Sequence, residues 1–217
     1  MKKFMFVTMA LVLALSAFGF QARSSRADGG ITPPPLPVGM APVPQGNKLI
    51  LGTHAVGTQN YVCKPSGAGV AYVLFTPEAT LFGEDGGQAI THYFSPNTDP
   101  NVSDPNTDPR VVADGAIRAT WQYRDSSIVW AKVHPTGKDG SGAVTVNQDA
   151  IAWLLLDGVG SEKGPTGGDK LFLTTFVQRL NTTGGLPPST GCSSLTDAGN
   201  FAFVPYTADY FFYEPVD

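Results

Sequence analysis

Residues 117–133, IRATWQYRDSSIVWAKV, constrain the fold more than any other stretch. Ile117, Ala119, Trp121 and Tyr123 alternate with Arg118, Thr120, Gln122 and Arg124, which sends the two sets to opposite faces of a strand. RDSS then makes a turn into a second apolar run, SIVWAKV. A period of two followed by a tight turn predicts an antiparallel pair with one face buried and one face in water. Similar segments recur along the chain: KLILGTHAV, TQNYVCK, VAYVLF, ATLF, QAITHYF, LFLTTFVQRL and YTADYFFYE. AIAWLLL is continuously apolar and predicts a central strand buried on both faces. Clusters of Gly, Pro, Asn and Asp separate these runs, drawn from 25 glycines and 18 prolines, and no long helical periodicity interrupts them. The expectation is an all-β, single-domain antiparallel β-sandwich, jelly-roll-like or Greek-key, with about nine or ten strands and little helix.

The N-terminus reads differently. MKKFMFVTMALVLALSAFGF pairs Lys2 and Lys3 with an apolar run from Phe4 to Phe20, and small residues follow, so residues 1–27 are expected to be a secretory signal peptide. Residues 28–46, DGGITPPPLPVGMAPVPQG, read as an extended, polyproline-like linker, and residues 47–217 as the domain. No other run is long and apolar enough to span a bilayer, so no membrane span is expected after cleavage. The expected location is exported, periplasmic or extracellular. Without the leader the chain keeps 10 basic and 18 acidic side chains, a net charge of −8. That balance argues against nucleic acid and against anionic lipid, both of which demand clustered Lys and Arg.

Cys63 and Cys192 are the two cysteines of the chain. In an oxidising compartment they predict one disulfide closing nearly the whole domain, which chain-entropy models value at about 4 to 5 kcal/mol. His54 lies nine positions before Cys63, but a turn expected at Gly57 separates them, so a Cys–His catalytic pair is the weaker reading. Gln59 and Tyr61 share the face of Cys63. They form either a hydrogen-bonded polar clamp in the core or the floor of a pocket, and the clamp is preferred.

Signatures of catalysis are sparse. PNTDPNVSDPNTDPR brings Asp99, Asp104 and Asp108 together as possible calcium ligands, but the regular EF-hand spacing is missing and Asx-Pro turns account for the segment. His54, His92 and His134 lack zinc-binding spacing, and no cofactor is expected. Gly140-Ser141-Gly142 lacks the nucleophile-elbow frame, and GAGVAY lacks the third glycine of a dinucleotide fingerprint. Trp121, Trp130 and Trp153 would stack on sugars if exposed, Trp153 being the one expected in the core.

The motifs GTQNYVC, ATLF, AIAWLLL, GPTGGDKL, FVQRLNTTGG and VPYTADYFFY together resemble a domain-of-unknown-function family, number 3455, of exported bacterial and secreted fungal proteins. The resemblance covers roughly Pro44 to Tyr213. It implies no established activity. A malate dehydrogenase label on some fungal relatives has no support here, because the nucleotide fingerprint is missing. The resemblance singles out Gln59, Tyr61, Cys63, His92, Trp121, Arg179, Asn181 and Asp209. Gln59, Tyr61, His92 and Trp121 are the candidate pocket. Arg179 and Asp209 sit in strand-like apolar runs, where each must be paired or hydrogen-bonded, and they are the candidate structural pair. The functional expectation is a non-catalytic binding or structural protein of the cell envelope or extracellular space, with a glycan or another envelope protein as partner. The alternatives are a surface-assembly subunit whose N-terminal segment adds a strand to a neighbour, and a metal-assisted hydrolase using His92 with Asp125 or His54.

Overall fold

The alternating stretch at 117–133 forms β4 (Ile117–Tyr123) and β5 (Ile128–Val133), joined by the tight turn at 124–127. The computed structural model describes residues 31–98 and 116–216. The leader and Asp99, Asp104 and Asp108 fall outside the described residues. The remaining strands are β1 (Asn47–Ser66), β2 (Gly69–Phe82), β3 (Gln88–Pro96), the short β6 (Ala143–Val144), β7 (Trp153–Glu162), β8 (Phe176–Gly184) and β9 (Phe201–Pro215). The helical content of the described residues is one 3-10 turn, Leu195–Asp197.

The chain is all-β and antiparallel, but it is a closed barrel and not a sandwich. Strands run in the order β5-β4-β3-β2-β1-β9-β8-β7-β6, and β5 also pairs with β7. Eight strands therefore close on themselves, with β6 outside the circuit. The physical reason lies in the connections and the irregularities. Most strands pair with a sequence neighbour, leaving no crossover to carry the chain into a second sheet. Register shifts at Leu49/Leu51, Asn60/Tyr61, Trp130/Ala131 and Leu180/Thr183 sharpen the coiling until first and last strands meet. Closure leaves the circuit without exposed edges.

The turn expected at Gly57 is absent. KLILGTHAV and TQNYVCK form one strand of 20 residues, as do VAYVLF and ATLF one of 14. Gly57 is not a turn residue. A Cβ there would collide with the Glu78 carbonyl oxygen, so glycine permits close approach of β1 to β2.

Alternation through the wall gives two apolar layers. Inside, Leu81, Ile90, Val129, Leu171, Val177 and Phe212 fill one end of the barrel. Outside, Leu155, Leu180 and Phe211 pack beneath residues 31–43, with Met40 and Ala41 buried against them. AIAWLLL is thus covered on both faces, as expected, because β7 carries Leu154 and Leu156 inward and Trp153 and Leu155 outward. The proline-rich segment is a strap over its own barrel and not a linker leading away from it. Met40 bridges to Ser141, and the Ala41 amide donates to the Ser141 carbonyl at 2.9 Å.

Cys63 and Cys192 form the disulfide, with Cα atoms 5.5 Å apart. It joins the far end of β1 to the connection between β8 and β9. No helix among the described residues is long and apolar enough to cross a membrane.

Candidate functional site

The end of the barrel opposite the apolar plug is not filled. Some inward-facing positions there carry small side chains, Ala119 and Ala131 among them, where the other end carries Leu, Ile and Phe. The result is a cavity of about 790 Å³. Gln59 and Tyr61 of β1, His92 of β3, Trp121 of β4, Arg179 of β8 and Tyr210 of β9 all line it. The sequence-derived pocket residues therefore line one cavity, and they are also buried in the sense the core reading required. Leu74, Ile117, Val133 and Leu186 are exposed side chains at its rim.

His92 and Trp121 are cross-strand partners on β3 and β4, and their rings stack with centroids 4.4 Å apart and planes 7° from parallel. Tyr210 meets both, at 5.4 Å and 5.7 Å. His92 donates from Nδ1 to the Thr120 carbonyl at 2.8 Å, which fixes the tautomer and leaves Nε2 with the lone pair. Burial drives the His92 pKa down to about 3; the Thr120 bond opposes this and the nearby Arg179 charge adds to it. The ring is neutral across the physiological range. Tyr61 donates to the Gly185 carbonyl at 2.6 Å, holding the β8–β9 connection over the cavity. Burial raises the Tyr61, Tyr206 and Tyr210 hydroxyls above the usual tyrosine range, so all three stay protonated.

Arg179 on β8 also lines the cavity. Its Nε and Nη2 donate to the Ala152 carbonyl at 3.2 and 2.9 Å. It does not pair with Asp209. On the β8–β9 ladder Arg179 lies opposite Tyr210, while its neighbour Leu180 lies opposite Asp209, so the two charges project to opposite sides of the wall. Asp209 accepts on the outside from His54 Nδ1 and from Asn181 Nδ2, both at 2.7 Å. Each is hydrogen-bonded by separate partners, Arg179 to a neutral backbone carbonyl and Asp209 to His54 and Asn181.

The same alternation breaks the hydrolase constellation. His54 is on the outer face and His92 on the inner. Asp125 belongs to the turn at the plugged end, where it accepts from the Ser127 amide at 2.8 Å, the Ser127 hydroxyl at 2.6 Å and the Lys170 amide at 3.0 Å. Burial pushes its carboxyl up, but those bonds outweigh that and hold it below the usual range. Asp125 latches the β7–β8 connection and seats Leu171 in the barrel. No cluster of three or more His, Cys, Asp or Glu side chains suited to a metal occurs among the described residues.

None of the tryptophans offers an open face for a sugar. Trp121 and Trp130 are buried, Trp130 donating to Ser95 Oγ at 2.9 Å, and Trp153 is half-buried beside the strap. Tyr210 was missed as a site residue. Its signal was present in YTADYFFY, where Tyr206, Ala208, Tyr210 and Phe212 alternate toward one face.

The family model for "Protein of unknown function (DUF3455)" matches residues 44–214. The chain belongs to that family. The matched region takes in every barrel strand, but for the last residue of β9, and every cavity-lining residue named above. No curated protein and no solved structure matches the chain.

Proposed function

We propose that this DUF3455 protein is an exported, non-catalytic binding barrel that holds a small, largely apolar molecule in its interior. The observation that carries the reading is the cavity of about 790 Å³ inside a closed eight-strand wall. Barrels of this strand number are just wide enough to fill with side chains or to hold one small ligand. The volume falls in the range of about 300 to 1,000 Å³ common to ligand sites, and a few convergent polar groups amid apolar lining match their usual make-up. Export to the periplasm or the extracellular space is supported by the leader-like N-terminus and by the disulfide, which belongs to an oxidising compartment.

Binding is favoured over turnover by the state of the side chains. A histidine held neutral to about pH 3 is a weak base, and the carboxylate proposed as its helper is committed to a turn at the far end. A strand-adding assembly role loses its donor, because residues 31–43 are spent on the protein's own wall.

The test is titration of the purified protein with the neutral fluorophore N-phenyl-1-naphthylamine, alongside the Ala119→Phe variant. Saturable one-to-one binding is expected, weakened at least about tenfold in the variant with the thermal midpoint nearly unchanged. Folded wild-type protein that shows no saturable binding would sink the proposal.

A further inference from the structure

The polar groups of the cavity are unbalanced. Among the described lining residues there is no aspartate and no glutamate, yet Arg179 faces inward from β8. This is an acidic chain, with net charge −4 overall, so a cavity wall carrying only basic charge runs against its composition. No described carboxylate lies within ion-pairing distance of Arg179, whose hydrogen bonds go to a backbone carbonyl.

The neutral groups lean the same way. Five buried side-chain polar atoms among the described residues have no hydrogen-bond partner, and two of them are on inward-facing side chains of the cavity: Gln59 Nε2 and Trp121 Nε1. Both are N–H donors. Gln59 and Trp121 are 2% and 1% exposed, so bulk water does not serve them. Gln59 lies beside the Tyr206 hydroxyl without hydrogen-bonding geometry to it, and Tyr206 in turn meets Tyr210 at 3.4 Å, next to Arg179. Orphaned donors at this degree of burial cost stability unless something accepts from them. The groups gathered round Tyr210 thus want acceptor atoms and negative charge, while the rest of the wall, Leu154, Leu156, Ile151 and Phe94 among it, wants hydrocarbon.

We infer that the occupant is an amphipathic monocarboxylate, its carboxylate on Arg179 with the Gln59 and Trp121 N–H groups as further donors, and its apolar body directed toward the rim. This rests on the cavity being a binding site. Guanidinium matches a planar carboxylate better than it matches an alcohol or an amide, because the fork donates two parallel charge-assisted bonds. A cationic headgroup is excluded by the same charge.

Isothermal titration with paired probes separates the two readings. The probes are decanoate, decanol and decylammonium, with 2-naphthoate and 2-naphthol as an aromatic pair. The expected result is that at least one carboxylate binds about tenfold or more tighter than its neutral partner, with decylammonium weakest. In Arg179→Gln the preference should shrink below about threefold while the neutral partner keeps its affinity, which also shows that the variant is folded. Trp121→Phe, which removes one donor and keeps the ring, should lose part of the preference. Equal affinity for acid and neutral probes overturns the carboxylate assignment and leaves the binding barrel standing. A preference that survives Arg179→Gln also overturns it, since the headgroup would then sit elsewhere. Failure of every probe overturns both.

Discussion

His92 shows how a single buried side chain ties the cavity wall to pH. Its pKa is held near 3 in the folded protein, chiefly by burial, against about 6.5 in an unfolded chain. Above the unfolded value neither state is charged, and the group contributes nothing to pH dependence. As pH falls through about 6.5 the unfolded chain takes up a proton that the folded protein refuses, so stability drops. The loss runs at up to about 1.4 kcal/mol per pH unit and stops near the folded pKa. His92→Gln keeps a donor for the Thr120 carbonyl and removes the titration. Urea midpoints measured between about pH 7 and about pH 4 should fall more gently in the variant than in the wild type. Parallel curves would mean that His92 is not the group responsible. The stack on Trp121 depends on the same neutrality, since the ring has no described carboxylate beside it to balance a charge.

The element that most changes the reading of this chain is the N-terminal strap. Residues 28–46 read as a linker because proline and glycine dominate them, and a linker exposes its few apolar side chains. Met40 and Ala41 are instead 5% and 1% exposed, against Leu155, Leu180 and Phe211 on the outside of β7, β8 and β9. Those three strands therefore need cover on both faces, and the strap is that cover. Removing the Met40 side chain should cost about 2 to 5 kcal/mol, as for other buried large-to-Ala changes. Because Met40 touches the outer layer and the cavity belongs to the inner one, probe binding by folded Met40→Ala protein should match wild type. Chemical denaturation with a parallel fluorophore titration checks both, and a binding loss without a stability loss would contradict the two-layer arrangement. The alternation that placed Gln59, Tyr61 and Trp121 on inward faces was legible from sequence, because side-chain period is a local property. The Arg179–Asp209 pairing was not, because it required the register between β8 and β9, and one residue of offset sends the two charges to opposite faces.

At the scale of the whole molecule, strand content follows from the sequence while closure does not. A two-residue period says which face is buried and is silent on whether the sheet folds over or curls round, which the bulges decide here. The cavity is equally nonlocal: it is the difference between the space an eight-strand wall encloses and the volume its inward side chains fill. The disulfide was legible because two cysteines allow one intramolecular bridge, and its worth is also a whole-chain quantity. With its ends separated by 129 positions in sequence, the loop-closure model values it at about 5 kcal/mol, all of it exerted on the unfolded chain. In the folded protein the bridge is not alone in holding the β8–β9 connection. The Cys63 amide donates to the Asn200 carbonyl at 2.8 Å, Gly199 donates to the Cys63 carbonyl at 2.9 Å, and Tyr61 donates to Gly185 at 2.6 Å. The double variant Cys63→Ser with Cys192→Ser should therefore lose several kcal/mol of unfolding free energy in denaturant while binding N-phenyl-1-naphthylamine within about threefold of wild type. A collapse of affinity in protein that is still folded would show that the bridge shapes the cavity directly, because its loss would then be acting on the native wall and not on the unfolded chain.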